Sequence, residues 1–203
     1  MSRTVVFIDT ETTGIDPLAH EVWEFAYIKR TYDDGYIGGY VDDKPVRAAI
    51  KIDESLANPF ALEIGRYYER SDGDFTRATF GGGVLHYFSK DVLETLQRDT
   101  KGALLCGWNV HFDAAFLKKL LNENGLAPRW DYHFIDLTAL CLGQPGVWDW
   151  ALANKISGNT LAERFGVPEL GGSVRHTALG DSCWARDVFD AVISQNQPGV
   201  LRP

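Results

Sequence analysis

Residues 4–14 read Thr-Val-Val-Phe-Ile-Asp-Thr-Glu-Thr-Thr-Gly. Val5, Val6, Phe7 and Ile8 form a continuous apolar run, β-branched and aromatic, of the kind that is buried on both faces of a sheet. The run meets Asp9, Thr10 and Glu11, and Gly14 closes the turn. Side chains alternate along a strand, so Asp9 and Glu11 point to one side. Two carboxylates on one face of a buried strand repel each other. The pair persists where a hard divalent cation lies between them. The alternative is a strand that ends in a polar turn, because Asp and Thr are ordinary turn residues and Asp-x-Glu is a short motif.

The surrounding chain bounds the choice. It has 203 residues, 45% hydrophobic and 12% aromatic, which suits one domain over 1–203 with a variable insertion at about 33–100. The formal net charge of −8 argues against wide, non-specific coating of a duplex. Binding a strand end through cations stays compatible with it, since bound ions offset local carboxylates. Cys106, Cys141 and Cys183 form no Cys-x-x-Cys pair, so a disulfide framework or structural zinc is not expected. The chain enters its first strand directly after Met-Ser-Arg and has no apolar run of about 18 residues. The expectation is a soluble, cytoplasmic protein with no membrane partner.

In order, the sequence predicts a second strand over 20–30 and a hairpin at Asp33-Asp34-Gly35 with 36–41 returning. Another strand is expected over 46–52, and Pro59 opens a short helix. Residues 75–84, with Gly81-Gly82-Gly83, read as a flexible connection, because the spacing is not that of a phosphate loop. Ser89 caps a helix carrying Val92, Leu93 and Leu96. Leu104–Trp108 is a strand, and Asn109 is placed as the N-cap of a helix to about Asn124, stopped by Gly125. A strand over 132–137 ends at Asp136, which reads as structural. Trp108, Trp148 and Trp150 read as core, and Thr160–Phe165 as a helix capped by Asn159 or Thr160. The last helix runs from about Ala178 to Ser194. A meander followed by alternating strands and helices implies an α/β fold with a mixed central sheet.

Two helical acids are out of place. Asp181 shares a stripe with Trp184, Ala185, Val188 and Val192, and Asp113 shares one with Phe116, Leu117, Leu120 and Leu121. A buried carboxylate costs several kcal/mol unless paired or metal-bound. Either acid alone could instead favour the dipole of its helix's first turn. His176 precedes Asp181 by five residues, about 140° apart on a continuous helix. The two serve one centre only if His176 lies in the loop and the helix begins near Ala178. The other histidines read as structural, with a small share of substrate contact left to His20.

These residues resemble the DEDD family of 3′–5′ exonucleases. Phe7-Ile-Asp-Thr-Glu-Thr-Thr-Gly14 looks like its first motif, Trp108-Asn-Val-His-Phe-Asp113 its second, and His176-Thr-Ala-Leu-Gly-Asp181 the third motif of its histidine branch. The order matches across nearly the whole chain. The resemblance implies a ribonuclease-H-like fold and two divalent cations, Mg²⁺ or Mn²⁺, held by Asp9, Glu11 and Asp181, with Asp113 acting directly or through water. It makes His176 the general base, and Asp9, Glu11, Asp113, His176 and Asp181 the catalytic set. Thr12, Thr13 and Gly14 would approach the 3′-terminal nucleotide, and Asn109 would support the second motif or the substrate. Arg164 and Arg175 could meet phosphates, although surface solvation is their ordinary role. The implied partner is a single-stranded 3′ end, with a polymerase or other replication or repair protein as a possible second partner. DNA, in a proofreading or repair role, is favoured over RNA trimming. The competing readings are a non-catalytic nucleic-acid or polymerase-binding module and a structural metal-binding domain.

Overall fold

The computed structural model describes residues 3–33, 39–71, 84–87, 90–172 and 174–195. The chain opens with β1 (Arg3–Thr12), β2 (Val22–Tyr32), β3 (Tyr40–Asp42) and β4 (Val46–Ala49). Two short helices, α1 (Pro59–Ile64) and α2 (Tyr67–Ser71), lead to β5 (Val84–Tyr87) and α3 (Lys90–Asp99). Then come β6 (Leu104–Gly107), α4 (Val110–Glu123), β7 (Phe134–Asp136), α5 (Leu137–Leu142), α6 (Val147–Leu152), α7 (Gly158–Arg164) and α8 (Ala178–Gln195).

The strands form one mixed sheet in the order β5-β4-β2-β1-β6-β7, with β3 paired to β2. Strand β1 runs antiparallel to β2 and parallel to β6. Its apolar run is buried on both faces, as its composition requires. Val6 and Ile8 pack with α3 and α4, while Val5 and Phe7 pack with Ala185 and Phe189 of α8. This is an α/β, ribonuclease-H-like architecture.

Several expectations change in detail. Strand β1 continues through Thr12, so its regular alternation carries past Asp9 to Glu11. Its pairing with β6 stops at Phe7 and Cys106, short of Asp9. Strand β5 begins at Val84, the last residue of the stretch read as a flexible connection. The rest of that stretch, residues 75–83, lies outside the described residues, as do Ser89 and most of the predicted hairpin at 34–38. Helix α7 is capped by Ser157 in a reciprocal box with Thr160, not by Asn159 or Thr160. Trp148, on the unforeseen α6, is 57% exposed and is not core. Trp108 and Trp150 do pack against the cluster beneath α8. Asp136 accepts from Ala139 N at 3.1 Å and caps α5, the structural role expected of it. Among the described residues no helix is long and apolar enough to cross a membrane.

Candidate active site

Asp9 and Glu11 project from the α8 face of β1, and Asp181 meets them from the first turn of α8. One carboxylate oxygen from each lies within 4.8 Å of the others. Alternation along β1 fixes the first two, and the start of α8 fixes the third. Thr177 caps that helix. Its Oγ1 accepts from Gly180 N at 3.0 Å and donates to Val174 O at 2.8 Å. His176 therefore lies in the preceding loop, in a left-handed conformation with φ of 58°. The five-residue spacing to Asp181 does not separate the pair around a helix. Asp181 is close enough for its charge to act on His176.

Asp113 reaches the site from the opposite face of the sheet, where α4 packs. It is 3% exposed, and its Oδ1 accepts from Thr10 Oγ1 at 2.7 Å. Thr10 points away from Asp9 and Glu11, and its hydroxyl holds Asp113 on the α4 side of β1. Close approach of β6 assists. A Cβ on Gly107 would stand 2.8 Å from Ile8 O.

The electrostatics are those of crowded acids. Burial, and then the neighbouring carboxylates Asp113, Asp181 and Glu11, push Asp9 well up from the usual range. Burial and the charge of Glu24 push Glu11 up to about 8, while Arg70 opposes the rise. Burial pushes Asp113 up to about 7 despite the Thr10 hydrogen bond. Asp181 is raised by burial and partly relieved by Arg175, whose Nη1 donates to its Oδ1 at 2.8 Å. Left to themselves these acids hold protons more tightly than ordinary carboxyls do. A set of oxygen ligands that repel one another this strongly fits a hard divalent cation. His176 goes the other way: burial, then the Arg175 charge, lower its affinity for a proton.

The predicted substrate contacts divide. Asn109 occupies the N-cap position of α4, but in the left-handed region, with φ of 51° and no side-chain capping bond. The capping role expected of its side chain is therefore replaced by exposure at the rim. Thr12 is half-buried, and its hydroxyl donates to Gly14 O at 2.7 Å. Thr13 is 1% exposed. Its N–H donates to Glu21 O at 2.8 Å, and its carbonyl accepts from Asn58 N at 2.7 Å. Both of its backbone groups are thus engaged within the fold rather than turned to a ligand. Gly14 has an ordinary φ. What it requires is space, because a Cβ there would run into the His20 ring.

Two features escaped sequence reading. Arg175 pairs with Asp181 and lies 5.0 Å over the Trp184 ring, so it is not simply a solvated surface cation. Glu24 is 0% exposed and accepts from both Arg47 and Arg70. The signal for Glu24 was a lone acid inside the apolar run Val22–Ile28.

No family model and no curated protein sequence matches the chain. Solved structures do resemble it. The zinc-bound complex of Escherichia coli exonuclease I with single-stranded DNA aligns over 98% of this chain and 42% of that one, with TM-score 0.62 and 18% identity. The same enzyme with a dT13 oligonucleotide aligns over 96% and 41%, with TM-score 0.58 and 17% identity. Exonuclease I from Methylocaldum szegediense aligns over 97% and 41%, with TM-score 0.56 and 18% identity. The chain thus has the fold found in exonuclease I and spans about two fifths of the length of those chains.

Proposed function

We propose that this protein is a metal-dependent 3′–5′ exonuclease of the histidine-branch DEDD type. It would act on single-stranded 3′ ends, DNA in preference to RNA, as one catalytic domain over residues 1–203. The observation that carries the reading is the cluster itself: Asp9, Glu11 and Asp181 bring oxygens within 4.8 Å on a fold shared with exonuclease I. A cluster of repelling acids is costly to fold and is retained where a cation repays it.

In this reading Asp9, Glu11 and Asp181 hold two Mg²⁺ or Mn²⁺ ions. Asp113, oriented by Thr10, serves directly or through water. The cations would supply charge compensation for the attacked phosphate and acidify water. His176 takes the proton of the attacking water on a ring nitrogen, and its burial beside Arg175 favours the neutral ring that this requires. The new bond forms between water oxygen and phosphorus as the bond to the 3′ oxygen breaks. The leaving 3′ oxygen takes a proton from solvent water, His176 returns its proton to solvent, and a nucleoside 5′-monophosphate is released. Thr12, Gly14 and the exposed Asn109 form the rim nearest the terminal nucleotide.

The test uses 5′-labelled single-stranded DNA and RNA of one sequence, incubated with Mn²⁺ or Mg²⁺, with EDTA, and with His176→Ala. A ladder shortening from the 3′ end, lost with EDTA and slowed at least about a hundredfold in the variant, is the expected result, with DNA the faster substrate. Faster RNA shortening would make the enzyme an exoribonuclease. Intact strands with both metals and a folded protein would leave only a binding role.

A further inference from the structure

His176 is held in a backbone conformation that a non-glycine residue keeps only when its surroundings impose it. The restraint comes from an unexpected part of the chain. Arg70, on α2 between β4 and β5, donates through Nη1 to His176 O at 3.0 Å and to Gly65 O at 2.9 Å. Its Nη2 donates to Glu24. Glu24 in turn accepts at 3.1 Å from the N–H of Ala178, the first residue of α8. The guanidinium also lies 4.6 Å over the Trp23 ring, and its side chain is only 10% exposed. One planar cation thus grips the His176 loop directly and the start of α8 through Glu24.

We propose that Arg70 is a positioning residue for His176, fixing the loop that carries the base by donating to its carbonyl. The inference rests on the reading of His176 as the base of a nuclease. It gives part of the 33–100 region a task in the chemistry. Residues 59–71 are not an outlying decoration: a Cβ at Gly65 would stand 3.0 Å from Glu11 Oε2.

The principal variant is Arg70→Met. Glu24 keeps its ion pair with Arg47 there, so no buried charge is stranded and the fold is expected to survive. Arg70→Lys keeps the charge beside Glu11 but cannot donate to Glu24, Gly65 and His176 together. Two readouts are needed. The first is hydrogen exchange of the metal-free protein. In both variants the segment around His176 and Ala178 is expected to exchange at least about tenfold faster, with β1 and β6 unchanged. The second is a double-mutant comparison of exonuclease rates. Arg70→Met is expected to lower kcat about tenfold to a hundredfold, with KM within about threefold. In a His176→Ala background it is expected to cost nothing more. Wild-type exchange at the loop, the same loss in both backgrounds, or full rescue by Arg70→Lys would overturn the proposal. If the wild-type protein degrades no strand with either metal, the nuclease reading fails, and the exchange comparison alone decides whether Arg70 restrains the loop.

Discussion

Glu24 stands directly opposite Glu11 in the antiparallel pairing of β1 and β2, at the last rung before the register breaks between Glu11 and Thr12. Like charges in that position weaken a strand pair. Here Glu24 is satisfied by Arg47, Arg70 and the N–H of Ala178, whereas Glu11 turns toward Asp9 and Asp181. One acid of the pair is spent on structure. The other remains in a cluster whose members repel one another.

That repulsion sets the pH dependence of the metal-free protein. Burial raises Asp181, and burial together with neighbouring carboxylates raises Asp9 and pushes Glu11 to about 8 and Asp113 to about 7. The folded chain therefore binds these protons more tightly than the unfolded chain. Their stabilisation is complete at low pH, below the ordinary carboxylate range, and is lost as pH rises through the folded values. With EDTA, the melting temperature is expected to fall between about pH 5 and pH 8.5. Mn²⁺ should raise it most at the alkaline end, where ligands need not shed protons. Thermal melts across that range check it, and a metal-free Tm that climbs with pH would refute it.

Asp9→Asn separates stability from function. Asn is neutral in the folded and the unfolded chain alike, so the cost of burying or protonating the Asp9 carboxyl at pH 8 disappears, and the metal-free variant is expected to melt a few degrees above wild type, on the order of 1 kcal/mol. The same variant should lose metal-dependent hydrolysis by about a thousandfold or more, the scale of a lost transition-state charge partner. Paired melts and rate measurements decide both halves.

Gly14→Ala tests close packing at the mouth of the site. The added methyl runs into His20, whose Nδ1 already lies 3.1 Å from Asp16 O. Overpacking of this kind costs about 1–3 kcal/mol. Because space rather than backbone conformation is the cause, Gly14→Ala/His20→Ala should regain most of the loss. Urea unfolding of the single and double variants measures the recovery, and none would mean the glycine is needed for its backbone.

For His176, burial and the adjacent Arg175 both favour the neutral ring. The acid limb of kcat/KM should lie below the ordinary imidazole value of about 6.5. Replacing Arg175 by Gln removes a cation, raises the pKa of the ring and moves that limb to higher pH. A limb that stays in place would show that another group controls it.

Much of this was legible in the chain, for physical reasons. The apolar run Val5–Ile8 announced a strand buried on both faces, and period-two alternation put Asp9 and Glu11 together. The misplaced acid on the face of Trp184 and Val188 located Asp181. Contacts distant in sequence left no local signature. Thr10 meets Asp113 across 103 residues, and Arg70 meets His176 across 106. Resemblance alone assigns Thr13 and Gly14 to the nucleotide, and nothing in their own stretch shows that Asn58 and His20 pack against them. Arg175 looked like a solvated cation because nothing local showed its pairing with Asp181.

The measurement that tests the central claim most directly is calorimetric titration of Mn²⁺ into metal-free protein near pH 7, repeated in two buffers of different ionisation heat. If the acids gather around a cation, binding is saturable, releases protons from the raised carboxyls, and is abolished by Asp181→Asn. Absence of binding, or equal binding by the variant without proton release, would contradict the assignment of Asp9, Glu11 and Asp181 as a metal centre.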